Sequence, residues 1–171
     1  SVLWLASPHR DARANLLREA ASRGIDATRL VFAPFTPTIQ EHLGRLQLAD
    51  IALDTAPYNS HSTGVDALWC GVPLVCVRGQ RFAGRVGASL VTAAGVPELA
   101  VDTLDDYHRL ALALATDAAA LQGVKARLEE ARSRSALFDT AGFTRDLETL
   151  YLRIWQSHCE GRHAIIRPPG A

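Results

Sequence analysis

The chain of 171 residues has no methionine, and its three cysteines, Cys70, Cys76 and Cys159, form no C-x-x-C pair. Cys70 and Cys76 lie in apolar surroundings and read as buried thiols of a reducing compartment rather than parts of a disulfide framework. The six histidines show no metal-ligand spacing with them, so no metal site is expected. No apolar run approaches the roughly 20 residues that span a bilayer. No basic segment followed by an apolar one opens the chain, so nothing indicates secretion, and the expected location is cytoplasmic. Charge of one sign is also missing: Lys+Arg and Asp+Glu both count 18. That balance argues against nucleic acid or an anionic membrane as the main partner.

Apolar residues make up 48% of the chain, enough for a sizeable core. The Ala/Arg/Leu-rich, Lys-poor composition points to a GC-rich bacterial genome. The opening "SVLWLA" is already a buried-strand pattern, which reads as part of a larger protein.

Strand and helix patterns then alternate. Strands are predicted at Ser1 to Ala6, Arg29 to Ala33, Asp50 to Thr55, from Pro73 through "PLVCV", and at "ELAV". Helices are predicted at Asp11 to Arg23 with Gly24 as stop, near Ile39, at Ser62 to Cys70 ended by Gly71, and at about Ala83 to Ala94 closed by Gly95. From Leu104 the pattern is purely helical, and a last amphipathic helix covers about Thr140 to His158. The tail from Gly161 reads as irregular. Such alternation predicts an α/β domain with a parallel, Rossmann-like sheet flanked by helices, over 1–135, followed by a C-terminal helical segment over 136–171.

In sheets of this kind ligands sit outside the carboxyl ends of the strands, often against helix N-termini. That selects Ser7 to Arg10, Ala33 to His42 and Pro57 to Asp66. In the third loop, "HSTGVD", the first amides of a helix lack intrahelical partners and carry about half a positive charge. Ser62 and Thr63 add hydroxyl donors, His61 adds a ring donor, and Gly64 would let a ligand approach the backbone. Together they can cradle a phosphate. Asp66 would repel phosphate but can accept from a ribose diol if the ligand is a nucleotide. The plain alternative is an ordinary helix start, with Ser62 as N-cap and Asp66 complementing the dipole. His42 alone equally suits a surface or capping histidine.

The segments "LVFAPFTPTIQEHLGRLQLADIALDTAPYNSHSTGVDALWCGVPLV", "GQRFAGRVGASLVTAAGVPEL" and "SALFDTAGFTRDLETLYLRIW" together resemble the carboxy-terminal half of the catalytic region of O-linked N-acetylglucosamine transferases. That group includes SPINDLY-type proteins and has the GT-B glycosyltransferase fold. The resemblance covers roughly Ser1 to Trp155. It implies an inverting, metal-independent enzyme that transfers N-acetylglucosamine from UDP-N-acetylglucosamine (UDP-GlcNAc) to Ser/Thr of proteins, with no cofactor. No D-x-D acidic pair is present, in keeping with this.

Carried over by motif, His61, Ser62 and Thr63 would meet the diphosphate, with His61 stabilising the leaving group, and Asp66 would meet the ribose. His42 would lie against the uracil, and the backbone near Thr36 and Pro37 would read the base edge. The chain departs from the animal pattern at Thr38 or Ile39, where a lysine contacts the ribose. No residue of this chain is identified as the general base. The resemblance also implies a missing amino-terminal catalytic half, upstream tetratricopeptide repeats and a protein acceptor. It implies too that the last helix packs back towards that half, leaving Leu147, Leu150, Ile154 and Trp155 partly exposed here. Two other readings stay open: a GDP-fucose-using relative, and a non-catalytic UDP-binding module.

Overall fold

A computed structural model describes residues 1–6 and 9–162. Ser7 and Pro8 of the first loop, and the tail from His163, lie outside the described residues. The chain forms two compact units, Ser1–His42 and a second beginning at Leu43.

In the first unit, strands β1 (Leu3–Ala6) and β2 (Leu30–Ala33) pair in parallel, with Leu3 opposite Leu30 and Ala6 opposite Ala33. Helix α1 (Arg10–Ser22) connects them and buries Ala20. The Arg13 guanidinium lies 4.6 Å from the centre of the Phe32 ring. Helix α2 (Ile39–Leu46) begins in this unit, with the Thr38 hydroxyl accepting from the Glu41 amide.

The second unit carries the larger core. Strands β3 (Ala52–Leu53), β4 (Leu74–Val77) and β5 (Ala100–Val101) form a parallel sheet in that order. Between them run α3 (Ser62–Trp69) and α4 (Phe82–Ala93), and after them α5 (Leu104–Thr116), α6 (Ala118–Arg134) and α7 (Thr140–Cys159). Strand β4 is central, and Val75 and Cys76 are wholly buried under Leu68, Val91, Leu99 and Leu128. Each such side chain contributes about 1.5–3 kcal/mol by leaving water. A smaller cluster packs Leu43, Leu46 and Ala49 against Ala67, Cys70 and Val72.

Helices α3 and α4 stop where Gly71 and Gly95 take φ of 75° and 80°, a conformation that side chains resist. Strands β1, β3 and β5 are each shorter than their sequence patterns by at least two residues. After Leu53 the Asp54 carboxylate turns to accept the amides of Thr55 and Ser60, so β3 gives way to a loop at once. Before β5, a tight turn at Pro97–Leu99 takes up the first residues of "ELAV".

The expected α/β architecture with parallel strands and a helical C-terminus is the one observed. Along α7, Ile154 and Trp155 are exposed, as are Phe143, Tyr151 and Leu152, while Leu147 and Leu150 are half-buried. Among the described residues no helix is long and apolar enough to cross a membrane.

Candidate functional site

Because α3 follows β3 and α4 follows β4, both helices start at the carboxyl edge of the sheet. Their starts differ from those of the other helices. The side chains of Thr103, Asp117 and Asp139 cap α5, α6 and α7 by accepting the amides of Asp106, Ala120 and Gly142 at 3.0, 3.0 and 2.8 Å. The N-cap residues of α3 and α4 are His61 and Arg81, and neither makes a side-chain cap. Those amides and their share of the helix dipole therefore face outward.

The N-cap of α3 is His61, not Ser62 as an ordinary helix-start reading would have it. The Gly64 and Val65 amides donate to the His61 carbonyl at 3.0 and 3.2 Å. That leaves the amides of Ser62 and Thr63 as the outward donors, beside two exposed hydroxyls. The His61 ring is stacked on Tyr58, with centroids 5.3 Å apart and planes 5° apart, and the Phe82 ring meets it nearly edge-on at 6.0 Å. Its Nε2 is buried with no protein partner.

Gly64 also has a packing role. A Cβ at this position would point inward, 2.8 Å from Ser60 Oγ, 3.0 Å from Leu90 Cδ1 and 3.2 Å from Leu74 Cδ2. The glycine lets α3 seat closely on the core. Asp66 is half-buried one turn into α3; burial raises the Cys70 thiol pKa, the Arg132 charge opposes this, and the Asp66 charge adds a smaller upward push.

The structure brings His61, Ser62, Thr63, Gly64 and Asp66 together on one helix start. Thr36, Pro37 and His42 belong to the first unit, where they follow the carboxyl end of β2.

Sequence reasoning missed the buried polar groups behind the loop. Asp54 is 8% exposed; its Oδ1 accepts the amides of Thr55 at 2.9 Å and Ser60 at 2.7 Å. Its backbone carbonyl accepts the Tyr107 hydroxyl of α5 at 2.9 Å. Asn59 is 1% exposed and ties the loop to α4, donating from Nδ2 to the Thr55 carbonyl and accepting the Gly87 amide on Oδ1. Burial, reinforced by the nearby Asp54 charge, pushes the Tyr107 hydroxyl up to about 12. The same two causes, partly offset by Arg78, push the Cys76 thiol up to about 12. The cysteines are all free, with Cys70 and Cys76 buried and inert and Cys159 exposed. Among the described residues no cluster of three His, Cys, Asp or Glu side chains is placed to hold a metal.

A helix start open to anions at the carboxyl edge of a parallel sheet is the arrangement of nucleotide-binding α/β domains. Residues 1–147 match the model of glycosyl transferase family 41, and the chain belongs to that family. It is 37% identical over 161 residues to a UDP-N-acetylglucosamine–peptide N-acetylglucosaminyltransferase of Caenorhabditis elegans, covering 94% of this chain and 14% of that protein. It is 36% identical over 149 residues to a probable transferase of the same name, SPINDLY, of Eustoma exaltatum subsp. russellianum, covering 87% of this chain and 16% of that protein. Among solved structures, a mutant O-GlcNAc transferase of Thermobaculum terrenum superposes with a TM-score of 0.82 at 32% identity, over 89% of this chain and 29% of that one. The chain thus spans about a seventh of the length of the Caenorhabditis elegans relative. The likeness bears out the expected GT-B class for the fold.

Proposed function

We propose that this chain is the UDP-sugar-binding half of an inverting, metal-independent protein O-glycosyltransferase. Its parent transfers N-acetylglucosamine from UDP-GlcNAc to Ser/Thr hydroxyls of proteins in the cytoplasm. The observation that carries this reading is the start of α3, which has no side-chain cap and presents the amides and hydroxyls of Ser62 and Thr63 beside His61.

In an inverting displacement the acceptor oxygen bonds to the sugar C1 as the bond from C1 to the UDP β-phosphate oxygen breaks. Negative charge grows on that phosphate. Donors already aimed at it stabilise the transition state more than the ground state. Here the amides and hydroxyls of Ser62 and Thr63 provide them, and His61 adds a ring N–H. Together they do the work that a divalent cation does in metal-dependent enzymes. Asp66, a turn further on, accepts from the ribose diol. The proton leaving the acceptor hydroxyl goes to a base outside this chain, in the amino-terminal catalytic half, and upstream tetratricopeptide repeats recruit the acceptor protein. The names and identities of the relatives support this reading.

Calorimetry of the full-length protein with UDP-GlcNAc and with GDP-fucose tests it. UDP-GlcNAc is expected to bind the more tightly. Tighter binding of GDP-fucose would move the chain to the fucose-using branch, and binding of neither would contradict the reading.

A further inference from the structure

Resting on that reading, we infer that Asp54 is a positioning residue of the donor site, aiming the start of α3 through the amide of Ser60. The chain from Thr55 to Ser60 leaves β3 and returns to the same side chain: Asp54 Oδ1 receives the amides of both residues, at 2.9 and 2.7 Å. The carboxylate closes the loop on itself one residue before His61. Inside the ring, the Thr55 hydroxyl donates to the Tyr58 carbonyl at 2.5 Å and Asn59 Nδ2 donates to the Thr55 carbonyl at 2.9 Å. Outside it, the Asn59 amide donates to the Ala83 carbonyl at 3.0 Å, fastening the loop to the first turn of α4.

Asp54 itself cannot drift. Its amide donates to the Val75 carbonyl of β4 at 2.9 Å, and its own carbonyl is held by Tyr107. The loop that delivers His61, Ser62 and Thr63 is therefore referenced to the rigid centre of the sheet rather than to solvent.

The charge itself does not explain the residue. A carboxylate behind the cradle lowers the potential that the phosphate meets, and burying it is costly. Its Oδ2 is buried with no protein partner, packed where a Cβ on Gly87 would come within 2.6 Å. What the site uses is one oxygen that accepts two amides. Asparagine supplies the same oxygen, whereas alanine takes the acceptor from two part-buried amides and leaves the loop open.

The test compares Asp54→Ala, Asp54→Asn and Tyr107→Phe in the full-length protein, well below their melting temperatures. It uses UDP binding, donor kinetics and hydrogen exchange of the Asn59, Gly64 and Val65 amides, which are bonded to the Ala83 and His61 carbonyls. Asp54→Ala is expected to weaken UDP binding and lower kcat at least tenfold in the folded protein, and to speed exchange of those three amides. Asp54→Asn should stay within threefold of wild type. Tyr107→Phe loosens the strand side of the network and should lower the melting temperature.

Asp54→Ala with wild-type exchange at Asn59, Gly64 and Val65 and wild-type donor kinetics would overturn the inference, as would an Asp54→Asn variant as impaired as Asp54→Ala. Should Asp54→Ala not fold, Thr55→Val cuts the Thr55–Tyr58 link of the same loop at an exposed position. It should weaken UDP binding about threefold, and unchanged binding would overturn the inference. Exchange is read without ligand. A wild type that does not bind UDP therefore refutes the functional reading separately from the positioning role.

Discussion

Placing a methyl group on Gly87 tests the packing that holds the loop. A Cβ there would lie 2.6 Å from Asp54 Oδ2, 2.9 Å from Cys76 Cβ and 3.1 Å from Cys76 Sγ. None of these neighbours is a flexible side-chain end. Asp54 is held through Oδ1 by two amides, and Cys76 sits wholly buried in the central strand. Helix α4 must therefore shift outward, which also stretches the Gly87 amide bond to Asn59, already 3.2 Å long.

Overpacking of this kind costs about 3 kcal/mol at the upper end of its usual range. Replacing a helical glycine by alanine returns about 1 kcal/mol. The net loss is about 2 kcal/mol, or a fall in Tm of about 4–8 °C for a chain of this size. Gly44→Ala and Gly123→Ala are the internal controls. Both glycines are exposed within helices, and nothing lies within 4 Å of their Cβ positions. Each should gain about 0.5–1 kcal/mol. Differential scanning calorimetry of the three variants reads all of this at once. A Gly87→Ala protein that melts with the controls, at or above wild type, refutes the packing argument.

Alkaline pH should unfold the protein early. Cys76 and Tyr107 are both raised to about 12 from ordinary values of 9.0 and 10.0. The folded state then holds protons that the unfolded state has lost, so this stability is complete below about pH 9 and drains away up to about pH 12. Urea midpoints measured across that range should fall, and less steeply in Tyr107→Phe, while a flat profile would contradict the burial of both groups. Asp66→Ala should weaken UDP binding by about 1.5–3 kcal/mol through loss of a charge-assisted hydrogen bond. Asp102→Ala, which removes only an exposed 2.7 Å bridge to Arg78, should bind as wild type does, and equal calorimetric affinities for both variants would remove the ribose role. Chelators should leave transferase activity of the full-length protein unchanged, and activity lost to EDTA and restored by a divalent cation would contradict a donor site built from helix amides.

Much of the fold was legible because the signals are local. Periodicity marked the helices, and Gly24, Gly71 and Gly95 marked three of their ends with positive φ. The loop carrying "HSTG" was legible because polar residues between a buried strand and an apolar helix have few structural uses. Its support was not. Asp54 and Asn59 act through bonds to Ser60, Tyr107 and Gly87, up to 53 residues away in sequence, and no spacing rule links them. The signal that could have found them is a carboxylate and an amide flanking a short loop where a strand pattern stops, in "LDTAPYNS". Which way a Cβ on Gly64 would point was likewise not legible, because a motif shows only that a side chain is absent.

The central claim is that the start of α3 stabilises the departing nucleotide, and His61→Ala tests it most directly in steady-state kinetics of the full-length protein, paired with a melting curve. Loss of one preorganised donor should lower kcat by about 10²–10³, with a smaller change in donor KM, because charge on the phosphate grows in the transition state. The melting temperature should stay near wild type. A variant that melts early yet keeps wild-type kcat in its folded fraction would show that His61 only packs between Tyr58 and Phe82, and the account would fail.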